Sequence, residues 1–494
     1  MRTLHNRRTL HNRSRLRAHR ATGGVCIAVM LAACTLGPNY VRPGIETPAA
    51  YKEAQGWKQA EPRDSEPRGE WWTLFNDPAL DALLTQVEVS NQTIKAAEAR
   101  VREARALTQQ AQAAYFPIVT ANASATRGGG RATIGGSTDV SGGGVGGAVR
   151  NSYNVSLDVN WEMDLWGRVR RTVEAGEATA QASVADLEAA KLSAQAQLAQ
   201  DYFLLRVQDA QIRLLNDTVD AYQKSLQLTR NQYAVGVAAR ADVAQAETQL
   251  KSTQAQALDA GVLRAQLEHA IAVLLGKPPA EFSIPAEAVA TTFPPIPPGL
   301  PSELLERRPD IAAAERRSAA ANAQVGVAET AFFPTVALSA TGGFQSSVLS
   351  QLFSLPSRYW SLGPALAQAI FDAGLRRAQS AQAIATYDEN VANYRQTVLT
   401  GFQEVEDTLA ALRILEQEAV VQDEALKSAR ESLAITLNQY RAGTANYLAV
   451  VVAQAIALSN ERAALAILAR RLTASVALIK ALGGGWNADQ VPAG

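Results

Sequence analysis

The sequence predicts an α+β membrane protein in which two pairs of β-strands are set into long coiled-coil helices. Three observations carry the prediction. One pattern of motifs occurs twice at an offset of 207 residues: Asn231-Gln232-Tyr233-Ala234-Val235-Gly236 returns as Asn438-Gln439-Tyr440-Arg441-Ala442-Gly443. Each copy holds segments in which apolar and polar residues alternate, the period of a strand with two unlike faces. Each copy also holds apolar residues at seven-residue spacing, the period of a coiled-coil seam.

In chain order, residues 1–33 read as a secretory leader. They carry seven arginines (Arg2, Arg7, Arg8, Arg13, Arg15, Arg17 and Arg20) and no acidic residue, followed by the apolar run Val25–Ala33. That run is shorter than the ~20 residues a spanning helix needs. It ends in Leu31-Ala32-Ala33-Cys34, which resembles a bacterial lipobox. By that resemblance Cys34 is lipidated, carrying an N-acyl diacylglyceryl group as the one covalent addition, with no other cofactor expected. An ordinary signal peptide with an incidental cysteine is the alternative. Thr35, where an aspartate would mark retention in the inner membrane, points to the outer membrane. Elsewhere there is no run of 18 apolar residues, so a membrane crossing has to be made by a closed β-barrel.

The first copy spans 91–276 after an N-terminal segment 34–90. A helix over Asn91–Ala114 is stopped at Tyr115-Phe116-Pro117. Val119, Ala121, Ala123 and Ala125 then alternate with Thr120, Asn122, Ser124 and Thr126. A glycine-rich stretch from Gly128 to Gly147 leads to a second alternation. There Tyr153, Val155, Leu157, Val159, Trp161 and Met163 face one side, and Ser152, Asn154, Ser156, Asp158, Asn160 and Glu162 the other. One apolar and one polar face over about ten residues is what a transmembrane barrel strand requires. Alternation alone also fits a soluble hairpin packed on a core.

The second copy, 309–483, follows a linker, 277–308, rich in proline. It repeats the order, with Phe332-Phe333-Pro334, alternating Val336, Leu338 and Ala340, then Trp360, Leu362, Leu366 and Ile370. Pro364 is expected at a bulge or near the rim, because it cannot donate to a ladder. Residues 484–494 form a tail.

After Gly167 and Gly374 the pattern turns helical. Positions 184, 191, 198, 205, 212, 219, 226 and 233 hold Val, Lys, Leu, Leu, Ile, Val, Leu and Tyr; the same positions shifted by 207 hold Val, Val, Val, Leu, Ala, Leu, Leu and Tyr. A continuous helix from Arg168 to Tyr233 is about 100 Å long, wrong for a globular core and right for a chain that crosses a compartment. Each long helix turns at Gly236 or Gly443 into an alanine-rich return helix.

Composition excludes several classes. Without the leader the chain has 40 basic and 47 acidic residues, a formal charge of −7, poorly suited to binding nucleic acid. Past the leader only His269 and Cys34 remain of the four histidines and two cysteines. One protomer therefore cannot assemble a zinc cluster, a disulfide framework or a Ser/His relay, and no enzyme is expected. His269 reads as a solvated helix residue. The glycine-rich stretch lacks the lysine of a phosphate loop. Four strands are too few to close a water-filled barrel, so the pattern demands an oligomer; three chains give twelve strands and twelve helical staves.

The motifs in combination are similar to those of outer-membrane efflux lipoproteins of the TolC/OprM/NodT family. The residues that carry this are Gly37-Pro38-Asn39-Tyr40, Arg42-Pro43, Trp71-Trp72, Phe75-Asn76-Asp77-Pro78-Ala79-Leu80, Arg307-Arg308-Pro309-Asp310-Ile311, Phe371-Asp372-Ala373-Gly374 and Ala481-Leu482-Gly483-Gly484-Gly485-Trp486. The resemblance implies a homotrimeric 12-stranded β-barrel continuous with a periplasmic α-helical tunnel. It implies docking to a periplasmic adaptor joined to an inner-membrane RND-type pump. It places the adaptor contact at the tips, Val235, Gly236, Val237, Ala442, Gly443 and Thr444, and the entrance constriction at Tyr440, Ala449, Val452 and Asp242. Family members carry acids six and nine positions after the second tip glycine; here Ala449 and Val452 stand there, and only Asp242 keeps an acid at the matching place of the first copy. An entrance closed by apolar packing is therefore expected.

Three functions compete at this point: a duct for small-molecule efflux, the exit duct of a type I protein secretion system, and a coiled-coil spacer between envelope layers. The strand pattern speaks against the spacer, which needs no barrel.

Overall fold

The computed structural model describes residues 35–54, 70–129, 149–288, 296 and 307–485. The leader, Cys34, most of the glycine-rich stretch, much of the proline-rich linker and Trp486 lie outside the described residues. Among the described residues the α-helices and strands follow in the order α1 (Pro78–Ser90), α2 (Gln92–Ala113), β1 (Ile118–Gly129), β2 (Val149–Glu162), α3 (Arg168–Ala234), α4 (Arg240–Leu274), α5 (Pro309–Thr330), β3 (Thr335–Ser346), β4 (Arg358–Ala367), α6 (Leu375–Arg441) and α7 (Tyr447–Ala481). The chain forms two compact units, one of residues up to 42, 104–180 and 317–390, the other of 43–103, 181–316 and 391–494.

In the first unit the strands form one antiparallel sheet in the order β1-β2-β3-β4, so β2 and β3 join the two copies at its centre. The ladders are regular, with Asn122 opposite Ser156, Asp158 opposite Thr341 and Leu338 opposite Pro364. The sequence allows Pro364 a bulge or a place near the rim; the structure shows no bulge. Pro364 lies in the unbroken register of β4, an outer strand of the sheet and three residues from its end, where a missing N–H can face away from the ladder.

The passage from strand to helix is built the same way in both copies. Asp164 accepts the Val169 and Arg170 amides at 2.9 and 3.0 Å, and Asp372 accepts those of Gly374 and Arg376 at 3.0 and 3.3 Å. Each carboxylate meets the positive end of a long helix. Gly167 and Gly374 make the bend at φ of +85° and +92°, open to glycine without cost. Trp166 stacks on Phe333, ring centres 5.0 Å apart, and donates its indole N–H to the Pro334 carbonyl at 2.7 Å.

In the second unit a large aromatic core gathers around the chain before α1. Trp71, Trp72, Phe75, Leu80, Leu84, Tyr202, Phe203 and Tyr394 are all buried, each large apolar side chain contributing about 2–3 kcal/mol. The Tyr202 hydroxyl donates to Asp77 at 2.8 Å, and the other oxygen of Asp77 caps α1 at the amides of Ala79 and Leu80. Two arginines hold the chain after α4: Arg206 donates to the Pro285 carbonyl and Arg264 to that of Ile284, each at 2.6 Å. The Ile284 amide in turn donates to Glu268 at 2.7 Å. Among the described residues no helix is long and apolar enough to cross a membrane.

Candidate functional site

Two places carry the residues a conduit needs: the faces of the sheet in the first unit and the helix tips in the second. The ladder sorts every strand residue onto a face. One face collects Val119, Ala121 and Ala123 of β1, Val155, Leu157, Val159 and Trp161 of β2, Val336, Leu338 and Ala340 of β3, and Trp360, Leu362 and Leu366 of β4. Trp360, Leu362 and Leu366 are about two-thirds exposed or more, and Leu157 and Val119 are exposed too. A sheet that turns bulky apolar side chains outward over this width needs a cover other than water. The opposite face collects Thr120, Asn122, Ser124, Ser156, Asp158, Ser339, Thr341 and Ser361.

Both helix hairpins turn by one device. At the end of α3 the Gly236 amide donates to the Tyr233 carbonyl at 3.0 Å and the Val237 amide to that of Gln232 at 2.8 Å; at the end of α6 Gly443 donates to Tyr440 at 3.0 Å and Thr444 to Gln439 at 2.9 Å. These are Schellman turns with glycine in the left-handed position, φ +78° and +74°. Val235, Gly236, Val237, Ala442, Gly443 and Thr444 are all exposed at the two turns.

The four residues expected at the constriction divide. Val452 and Ala449 are exposed on α7, and Val452 forms an apolar stripe with Leu448 and Ile456, each about half exposed. Between Asn446 and Asn460 there is no charged residue. Asp242 is half-buried and accepts the Ala239 amide at 2.9 Å, closing the first turn of α4. Tyr440 is not on a surface: it is buried in a cluster with Tyr222, Leu226, Val243, Tyr447 and Val450. Its hydroxyl lies 3.1 Å from that of Thr229 on α3, and its ring is 5.4 Å from Tyr447. Burial pushes the Tyr440 and Tyr447 hydroxyls above the ordinary tyrosine range, and the negative charge of Asp242 adds to it. Sequence reading missed Tyr222, Thr229 and Tyr447 here. The available signal was the seven-residue spacing of Tyr222 and Thr229 in a stretch otherwise rich in apolar and flexible side chains.

The outer membrane efflux protein family model matches residues 83–277 and 300–484, covering both copies of the repeat. The chain belongs to that family. It is 32% identical to the toluene efflux pump outer membrane protein TtgC of Pseudomonas putida, the match covering 93% of this chain and 94% of that one. The antibiotic efflux pump outer membrane protein ArpC of Pseudomonas putida gives the same identity and coverage. Among solved structures, the outer-membrane channel OprN superposes with a TM-score of 0.85 at 33% identity, over 92% of this chain and all of that one. The protein is thus an efflux channel component of the outer membrane, in a family of channels and not of enzymes.

Proposed function

We propose that three copies of the chain close a twelve-stranded barrel and that the trimer passively conducts small toxic compounds out of the cell. The observation that carries this is the four-stranded sheet, with one apolar face, one polar face and outer strands β1 and β4 each bonded on a single side within the chain. An exposed sheet edge calls for a partner, and two further copies supply one. The relatives named for toluene and antibiotic efflux support small organic toxicants as the cargo. The two tips, with Val235, Gly236, Val237, Ala442, Gly443 and Thr444, receive a periplasmic adaptor joined to an RND-type pump. The apolar stripe of Leu448, Val452 and Ile456 closes the entrance by packing and dewetting.

Cys34 carries the diacylglyceryl anchor in this reading. The residues that follow it are firmly held: Leu36 donates its amide to the Trp166 carbonyl at 3.2 Å, and Arg171 donates to Leu36, Gly37 and Asn39 at 2.9–3.2 Å. Such a clamp ties the start of the mature chain to the strand-to-helix passage, where a lipid anchor has use.

Deletion of the chain in its host, with the pump expressed, tests the proposal by susceptibility to antibiotics, aromatic solvents and metals. Sensitisation to organic compounds is expected, and restoration by the wild-type chain. Unchanged susceptibility on every compound would end the efflux reading.

A further inference from the structure

The polar face of the sheet holds one charge that conduction alone does not require. Asp158 lies opposite Thr120 on β1 and Thr341 on β3. Three neutral donors converge on its carboxylate, one from each of three strands: Asn122 Nδ2 at 2.6 Å, Thr341 Oγ1 at 2.6 Å and Ser156 Oγ at 3.0 Å. An ionised carboxylate is an acceptor only, so three donors fix its orientation without cancelling its charge.

The rest of that face is nearly neutral. The register turns the even residues of β1 and β2 and the odd residues of β3 and β4 to this side. Among them the charged residues are Arg150, Asp158 and Glu162. Glu162 is answered by a two-pronged bond from Arg168, at 2.7 and 2.5 Å. Arg150 is eight residues along β2, roughly 27 Å at about 3.4 Å per residue. That leaves Asp158 as the uncompensated charge of the middle of the face, among hydroxyls and amides.

We infer that Asp158 sets the charge preference of the conduit inside the barrel, favouring cationic and zwitterionic solutes over anions. The inference rests on the reading that the sheet closes with two further copies and turns its polar face to the lumen. Three carboxylates at one height then form a ring of negative charge, and a ring between low-dielectric walls focuses its field on whatever passes.

Local potential can be read with a thiol. Ser339 is exposed on the same face and pairs with Asn160, one diagonal step from Asp158, about 8 Å away. In the full chain, assembled in proteoliposomes, Ser339→Cys is reacted with a cationic and with an anionic methanethiosulfonate, the wild-type chain giving the background. The ratio of the two rates should fall about threefold or more on adding Asp158→Asn, since a unit charge at this distance acts on both reagents with opposite sign. Asp158→Glu should keep the ratio and shows that the fold tolerates the site. A reactive thiol whose ratio ignores Asp158→Asn overturns the inference while leaving the barrel intact. A thiol that reacts with neither reagent means that the polar face does not line water, and overturns the barrel reading together with it.

Discussion

The two copies of the repeat have helices of the same lengths, 22, 67 and 35 residues each, yet they close the ends of those helices with different chemistry. Before α2 stands Asn91, buried and neutral. It accepts the amides of Thr93 and Ile94 and donates to the Leu274 carbonyl at the end of α4, at 2.8 Å. Before α5 stands Arg308, buried and charged. It donates at 3.0 Å to the Ala481 carbonyl at the end of α7, the carbonyl 207 residues after Leu274, and is paired at 2.7 Å with both Asp310 and Glu404. Burial alone would pull the Arg308 pKa down, but the two carboxylates outweigh it and hold it above its usual range. Spacing is thus kept by geometry, and the chemistry at each joint is free to change if the same backbone group is answered.

That contrast predicts unequal costs. Arg308→Ala leaves a buried carbonyl unanswered and two part-exposed carboxylates without their cation, a loss of about 2–3 kcal/mol. Asn91→Ala removes a helix cap and one donor, about 1–2 kcal/mol. Thermal unfolding of the assembled channel in detergent should rank them in that order. Equal losses would mean that the ion pairs add nothing to the joint beyond what a neutral amide provides.

The joints also mark where sequence reading succeeds and where it stops. The strand faces were legible because alternation is a local signal, which assigns each residue its face but leaves the register between strands open. The tip glycines were legible because a left-handed turn leaves few choices of residue. Tyr233 and Tyr440 occupy the same place in the repeat, yet Tyr233 is 46% exposed and Tyr440 5%. That difference is made by Tyr447, across the hairpin turn, and by Thr229, 211 residues away on α3, a pairing that the spacing within one helix does not specify. The convergence of Asn122, Ser156 and Thr341 on Asp158 is likewise set by register between strands up to 183 residues apart. Pro364 left a bulge and a place near the rim both open because the sequence does not say which strands are outermost.

At the tips the copies swap the two halves of one cap. In the first, Asp242 at the third helical position reaches back to the Ala239 amide. In the second, Asn446 at the position matching Ala239 reaches forward to the Ala449 amide at 3.0 Å. The acid absent at 449 is therefore replaced, as a cap, by Asn446. Asp242→Ala and Asn446→Ala should each cost about 1 kcal/mol, seen as faster hydrogen exchange in the first turn of α4 or α7. Adding Ala239→Asn to Asp242→Ala should restore protection, since it rebuilds the first tip in the manner of the second. No rescue would show that Asp242 acts at the tip through its charge and not through the cap.

The smallest effect separates the paired tyrosines. Tyr440→Phe deletes the bond to Thr229, at a cost of about 1 kcal/mol, while Tyr233→Phe deletes an exposed hydroxyl and should cost nothing measurable. The pH dependence sharpens the distinction. The hydroxyls of Tyr222, Tyr440 and Tyr447 are all raised by burial above the ordinary value of 10.0. A raised pKa favours the protonated, folded form, so this contribution is full below pH 10 and is lost as pH rises through the folded-state values. An ultraviolet tyrosinate titration should show a late phase that shrinks in Tyr440→Phe. Thermal stability should fall less steeply above pH 10 in Tyr440→Phe than in the wild type, because one of the hydroxyls that resist ionisation, a set that also includes Tyr115 and Tyr202, is gone. A fall of equal steepness in both would place the alkaline weakness elsewhere in the chain and leave the tip cluster a matter of packing alone.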